Sequence, residues 1–415
     1  MNLVCSECGR PAAEDAMFCA SCEGLLAFET FAAAPNDAPD RDRIAARRNS
    51  SDPRDRSGVW RYRELLPDIP REAIVTLREG DVPLYGAPRA AEYAGMRRLA
   101  YLHLGMNPTA SFKDAGMTVA ISRARATGSA VAICASTGNT SASLAAYAAR
   151  ARIAAVVLVP STGISASKVA QTLDYGATVV AIDGDFDAAL VAVRAMDPQR
   201  VAIVNSVNPY RIEGQKTAAF ILLEARSWRV PDWIVLPGGN LGNTSAIGKG
   251  LREMLALGWI DRLPRLAVVQ AAGAAPFARA FRDKADLIPV HAETTATAIK
   301  IGAPASWKKA RAEVAASNGT VLAVEDDEIA DARAIVGRDG VGSEPASAAT
   351  LAGLRRLVAD GTIGAGDDVV LLLTGHVLKD GAYAANYHES AAAFANPILR
   401  GVDLAEVIDR LNAPA

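Results

Sequence analysis

"VAICASTGNTSASLAAYAARARIAAVVLVP", Val131 to Pro160, carries the architectural argument. A strand-length apolar run, "VAICA", meets a polar turn, then the helix-forming "SASLAAYAARA", then a second apolar run, "IAAVVLVP". A strand with one wet face alternates apolar and polar residues; these do not, so both faces are to be covered. Neither run is long enough to cross a bilayer. Strand, helix, strand in this order reads as two members of a parallel sheet joined by a covering helix.

The alternation continues outward. Downstream come the helix "SASKVAQTLDYGA", the strand "TVVAIDG", the helix "DFDAALVAVRAM", the strand "RVAIVNS" and the long helix "EGQKTAAFILLEARSW". "DWIVLPGG", "RLAVVQAAG" and the late "DDVVLLLTGH" add further strands. A chain of 415 residues is too long for one such sheet. Two α/β lobes around a cleft are predicted, the larger from 59–117 with 206–415, the smaller from 118–205. Hydrophobic residues make up 50% and charged residues 22%, with a formal net charge of -2. That balance is globular and supplies no field to draw nucleic acid or a membrane. "MNLVCSECGR" lacks the basic-then-apolar pattern of a secretory signal, so a cytoplasmic location is expected by default.

Four of the five cysteines lie within residues 1–30, as Cys5, Cys8, Cys19 and Cys22. Two C-x2-C knuckles supply four thiolates at tetrahedral spacing, the pattern of a structural zinc ribbon with no open position for chemistry. Two disulfides are the alternative, disfavoured in reducing cytosol. Cys134 reads as a small core residue. Residues 31–58, rich in Pro, Asp, Arg and Ser, read as a linker.

Ligands in such folds gather where strands turn into helices. In "NPTASFKDAG" (Asn107 to Gly116), Ser111 is placed to cap a helix and Asp114 to complete a capping box. Lys113 then falls in the first turn, where an ammonium opposes the macrodipole. A solvated surface lysine is the plain reading; an amine kept neutral and reactive is the sharper one. "ASTGNTSAS" offers Ser136, Thr137, Thr140 and Ser141 around a helix start, a donor surface for a carboxylate or phosphate. Simple capping would need only one of them. "PGGNLGN" turns backbone N–H groups inward at Gly238, Gly239 and Gly242. It lacks nucleotide-loop spacing, so a single phosphate monoester is its natural guest. "NSVNPYRIEGQK" brings Asn205, Ser206 and Arg211 to one side as a second oxyanion site, with a structural, loop-bridging arginine as the alternative. Thr374 emerges from a buried strand where its hydroxyl needs a partner. A reactive amine, a phosphate cradle and a separate carboxylate cradle together suggest pyridoxal phosphate.

In order, "NPTASFKDAG", "ASTGNTSAS", "NPYRIEGQKT", "PGGNLGN", "ETTATAIKIG", "EPASAATLAGL" and "TGHVLKD" resemble the threonine synthase family over about Gly80 to Asp380. The resemblance implies the two-lobed pyridoxal-phosphate fold type II, like the tryptophan synthase β chain, and a homodimer. An N-terminal cysteine ribbon also looks like some members. It implies that Lys113 holds the cofactor as a Schiff base and moves protons, and that Asn139 meets the phenolic oxygen. Gly238, Gly239, Asn240, Leu241 and Gly242, with Asn243 close by, would bind the cofactor phosphate, and Thr374 the pyridine nitrogen. Ser136, Thr137, Thr140 and Ser141 would take the substrate carboxylate; Asn205, Ser206, Arg211 and Lys168 would take its phosphate. The implied reaction turns O-phospho-L-homoserine and water into L-threonine and phosphate. A threonine or serine dehydratase or a β-replacement enzyme on the same fold is the competing activity, and a degenerate paralogue binding through its ribbon the non-enzymatic one. Ala110 stands where the family has glycine, Ala115 where it has a larger residue, Val82 where it has threonine and Val377 where it has glycine.

Overall fold

The computed structural model describes residues 1–31, 38–136, 138–161, 166–183, 189, 192–193, 196–197, 200–396, 398–400, 403–404 and 407–408. In the cysteine segment, β1 (Leu3–Cys5) and β2 (Leu26–Phe28) pair antiparallel. The body adds β3 (Leu84–Gly86), β4 (Leu99–His103), β5 (Val131–Ala135), β6 (Ala154–Pro160), β7 (Thr178–Ile182) and β8 (Ala202–Ile203). It continues with β9 (Trp233–Pro237), β10 (Arg265–Ala271), β11 (Thr320–Val324) and β12 (Val369–Leu373). Two sheets result, one ordered β11-β10-β9-β12-β4-β3 and the other β7-β6-β5-β8. Within them only β3 with β4 is antiparallel. Every residue of β9 and β12 is buried, as runs without alternation require.

β12, the last strand, inserts between β4 and β9, with Leu373 opposite His103 and Leu371 opposite Val235. Three carboxyl ends therefore lie side by side, leading to the Lys113 loop, to Thr374 and to the glycine loop. In the smaller sheet, β5 and β8 are neighbours, and they lead to Ser136 and Asn205. Ligand crevices form at such switches in strand order. Among the described residues no helix is long and apolar enough to cross a membrane.

Residues 38–58 differ from the expected loose linker. They form a helix at Arg41–Ala46 and a turn of helix at Pro53–Arg56, capped by the Asp40 and Asp52 side chains. Arg54 and Arg71 both pair with Asp52, and Arg63 pairs with Asp55. The charges that look like solvated spacer are caps and partners.

The cysteine segment is packed into the body. Leu3, Cys5, Cys19, Leu26 and Phe28 share one core with Met117, Ala120, Cys134, Val204 and Tyr210. The Phe28 ring meets Tyr210 edge-on, centroids 4.9 Å apart. Behind it, four buried charges join the Pro209–Ala225 helix to the Gly242–Ala256 helix. Lys216 lies 2.5 Å from Glu213 and 2.8 Å from Glu253, and Lys249 pairs with Glu213. Lys249 also donates to the Phe28 carbonyl (2.7 Å), and the Phe31 N–H donates to Glu253 (3.1 Å).

Candidate active site

Lys113 opens the Lys113–Ala126 helix, and its loop is stitched to the end of β12. Phe112 N–H donates to the Thr374 carbonyl (2.9 Å) and His376 N–H to the Ala110 carbonyl (3.1 Å). Ser111 and Gly375 form an isolated antiparallel bridge. The predicted capping box is not made. Phe112 takes the N-cap position with no side-chain cap bond, Ser111 is bridged to Gly375, and its hydroxyl has no partner among the described residues. The Asp114 carboxylate instead closes the loop, accepting from Thr109 N–H (2.7 Å), the Thr109 hydroxyl (2.5 Å) and the Ser143 hydroxyl (2.6 Å). Ala110 sits at φ +64°, the left-handed region that the glycine usual at this position adopts freely.

The Lys113 Nζ lies 4.1 Å from the Phe112 ring centroid. Burial, reinforced by the nearby Arg211 charge and opposed by Glu344, pulls its amine down to about 7. The surroundings of this lysine act in the same direction as the helix end.

The glycine loop runs from β9 into the Gly242–Ala256 helix, with Leu241 at φ +63°. A Cβ on Gly238 would come within 2.8 Å of Val268, so the loop lies flat on β10. Gln270 secures it from below, donating to the Gly238 carbonyl (3.2 Å) while accepting from Phe277 N–H (2.9 Å). Asn240 donates to the Ser206 hydroxyl and accepts from Ala305 N–H (2.7 Å), so the glycine loop touches the Asn205–Ser206 turn. At the helix start the buried Asn243 amide and Thr244 hydroxyl have no partner among the described residues. Unsatisfied buried donors beside a helix N-terminus fit a phosphate.

Arg211 is fully buried. One nitrogen donates to the Val204 carbonyl (3.1 Å), while Nε and Nη2 have no partner among the described residues. Burial pulls the guanidinium down to about 10. Beside it, Asn205 is spoken for, accepting from Ala135 N–H and donating to the Ala135 carbonyl, both at 3.2 Å. At the Asn139–Ala151 helix start, the Ser136 hydroxyl accepts from Gly138 N–H (3.3 Å). Ser141 donates to the Gly138 carbonyl (2.8 Å), and Thr140 is partly buried. Thr137 and the Lys168 side chain lie outside the described residues.

Asn139 donates to the Glu344 carboxylate at 2.9 Å. The Thr374 hydroxyl lies 3.0 Å from that of Ser347, which also accepts from the N–H groups of Thr374 (2.9 Å) and Gly375 (3.0 Å). Glu344, Ser347 and Gln270 were not assigned roles from the sequence. The first two stand in "EPASAATLAGL", where a polar residue before a proline-led helix looks like a cap.

Residues 75–375 match the pyridoxal-phosphate dependent enzyme family. A threonine synthase of Methanosarcina acetivorans is 44% identical, with 91% of this chain and 92% of that protein aligned. The chain belongs to the threonine synthase family. A threonine synthase of Synechocystis sp. is 48% identical over 77% of this chain and 82% of its own length. The Escherichia coli threonine synthase structure shares the fold at a TM-score of 0.68, with 20% identity over 100% of this chain and 95% of that one. A Solanum lycopersicum threonine deaminase does so at 0.63, with 17% identity over 86% and 96%. The fold is that of type II pyridoxal-phosphate enzymes, common to synthases and deaminases, so the threonine synthase relatives and the chemistry of the site must separate them.

Proposed function

We propose that the chain converts O-phospho-L-homoserine and water to L-threonine and phosphate, using pyridoxal phosphate held by Lys113. The observation that carries this is the pair of distinct anion sites. Asn243 and Thr244 with the glycine loop suit the cofactor phosphate, and the buried guanidinium of Arg211 with two unpaired nitrogens suits a second one. The cofactor, when bound, supplies an electron sink for carbanion character. Lys113, its amine near 7, takes the Cα proton and carries protons at the neighbouring carbons. Asn139 orients the ring from its phenolic side, and Thr374 from its nitrogen. The N–H groups at Ser136, Thr140 and Ser141 and the hydroxyls of Ser136 and Thr140, with Thr137, hold the substrate carboxylate. Arg211, helped by Ser206, Lys168 and the second amide hydrogen of Asn205, holds the phosphate that leaves from Cγ before water adds at Cβ. Incubation with O-phosphohomoserine and assay of phosphate, threonine and 2-oxobutyrate tests this. Equal phosphate and threonine are expected; phosphate with 2-oxobutyrate alone would make it an eliminating enzyme.

The four N-terminal thiols fit zinc. Their sulfurs all lie within 4.8 Å of one another, with Cys5 to Cys22 at 3.5 Å and Cys8 to Cys19 at 3.6 Å. A tetrahedral zinc with bonds of about 2.3 Å sets sulfurs about 3.8 Å apart, whereas a disulfide needs about 2.0 Å. Gly24 leaves room, since a Cβ there would come within 3.0 Å of the Cys5 sulfur. Metal analysis should give one zinc per chain, lost in Cys8→Ser. A homodimer in the cytoplasm is the assembly and place that go with this reading, the first checked by sedimentation.

A further inference from the structure

The Pro345–Ala359 helix begins with Glu344 at its N-cap and carries Ser347 in its first turn, both buried. Glu344 lies against Gly375, where a Cβ would come within 2.3 Å of the carboxyl carbon, and so sits next to Thr374. Its backbone N–H donates to the Gly375 carbonyl at 3.0 Å. One helical turn therefore touches two residues assigned to opposite edges of the cofactor ring.

The donors can be counted. A hydroxyl has one hydrogen and two lone pairs. Ser347 spends both lone pairs on the N–H groups of Thr374 and Gly375. Its own hydrogen has two acceptors in reach, Thr374 at 3.0 Å and the Gly375 carbonyl at 3.4 Å, and the shorter contact takes it. Thr374 accepts there, and its hydrogen is left to point away. On the other side burial raises the Glu344 carboxyl, opposed by the Asn139 bond and by Lys113 and Lys379; as a carboxylate it only accepts, and so fixes which end of the Asn139 amide faces it. Of the two Asn139 N–H groups, one is taken and one remains. Without these partners the hydroxyl could rotate and the amide could turn over.

We propose that the turn Glu344–Ser347 is the positioning element of the site, making Asn139 and Thr374 hydrogen-bond donors toward the two edges of the pyridoxal ring. A donor at Thr374 requires the ring nitrogen to accept, and so to carry no proton. Charges facing this turn are Lys113, Lys379 and Asp380, acting on Glu344, with Arg211 acting on Lys113. The inference rests on the assignment of Asn139 and Thr374 to the cofactor made above.

The test uses holoenzyme loaded with pyridoxal phosphate labelled with nitrogen-15 in the ring. In the wild type an unprotonated, hydrogen-bonded ring nitrogen is expected at neutral pH, and a protonated one overturns the proposal. Ser347→Ala should move that signal. Glu344→Ala should raise the cofactor dissociation constant about tenfold, by equilibrium dialysis, while Glu344→Gln, which keeps an acceptor, stays near wild type. The wild-type signal and the Glu344 pair decide the matter even if Ser347→Ala does not fold. Thr374→Val and Asn139→Ala separate two kinds of failure. If they change neither signal nor affinity, the site assignment is wrong and the proposal falls with it. If they change both while Ser347→Ala and Glu344→Ala do not, the site stands and the turn is not its positioning element.

Discussion

Replacing Arg211 with methionine should make the protein more stable and less able to hold phosphate. The guanidinium is fully buried, and desolvation pulls it down from its ordinary value to about 10. That lowering means the charged form is about 3 kcal/mol less favourable in the fold than in water. Because folding depresses a base here, the penalty applies at all pH values below about 10 and fades as pH rises toward the ordinary guanidinium value. Methionine fills similar volume without charge and forfeits one hydrogen bond to Val204 (3.1 Å), about 1 kcal/mol. The net expectation for Arg211→Met is a gain of about 2 kcal/mol, a melting rise of a few degrees. Inorganic phosphate completes the comparison, added with the cofactor bound so that the glycine loop is already occupied. At a hundredfold excess over its dissociation constant it should stabilise wild type by about 3 kcal/mol, and leave Arg211→Met unmoved. A variant less stable than wild type that phosphate still protects would refute the reasoning, and would make Arg211 the loop-bridging residue that the sequence left open.

Lys113 gives a second test. Between about 7 and the ordinary 10.5, the unfolded chain binds a proton that the folded one does not, so cofactor-free stability should rise with pH across that window. Lys113→Met should flatten the rise; identical slopes in both proteins would count against the depressed amine. Ala110→Gly should stabilise the lysine loop, since φ +64° costs a residue with a Cβ about 1–2 kcal/mol, offset by about 0.4–1 kcal/mol of added freedom in the unfolded chain. A clear loss of stability in denaturant melts would show that Ala110 is unstrained.

The strands were legible because a run such as "IAAVVLVP" without alternation has only one comfortable setting, a sheet covered on both sides. The turns were legible as turns because Gly238 and Gly239 stand where a strand ends and a helix begins, though close packing against Val268 and Ala298 already asks for glycine there. The lysine loop was only half legible. Ser111 and Asp114 have the spacing of a capping box, yet pairing with Gly375 and the call of Thr109 on the carboxylate won over local preference. Glu344 and Ser347 act across more than twenty-five residues of sequence on Thr374 and farther still on Asn139, a relation that no local window contains. The 38–58 segment misled for the reverse reason, since its low apolar content hid caps and ion pairs that form only against the body.

The four charges behind Phe28 sum to zero, and two of them are finished by backbone groups of the first thirty-one residues. Anyone shortening this enzyme at its amino end would take one hydrogen-bond partner from a buried ammonium and one from a buried carboxylate, between the Pro209–Ala225 and Gly242–Ala256 helices. A trimmed version has to rewrite Glu213, Lys216, Lys249 and Glu253 together, or keep the cysteine-bearing head.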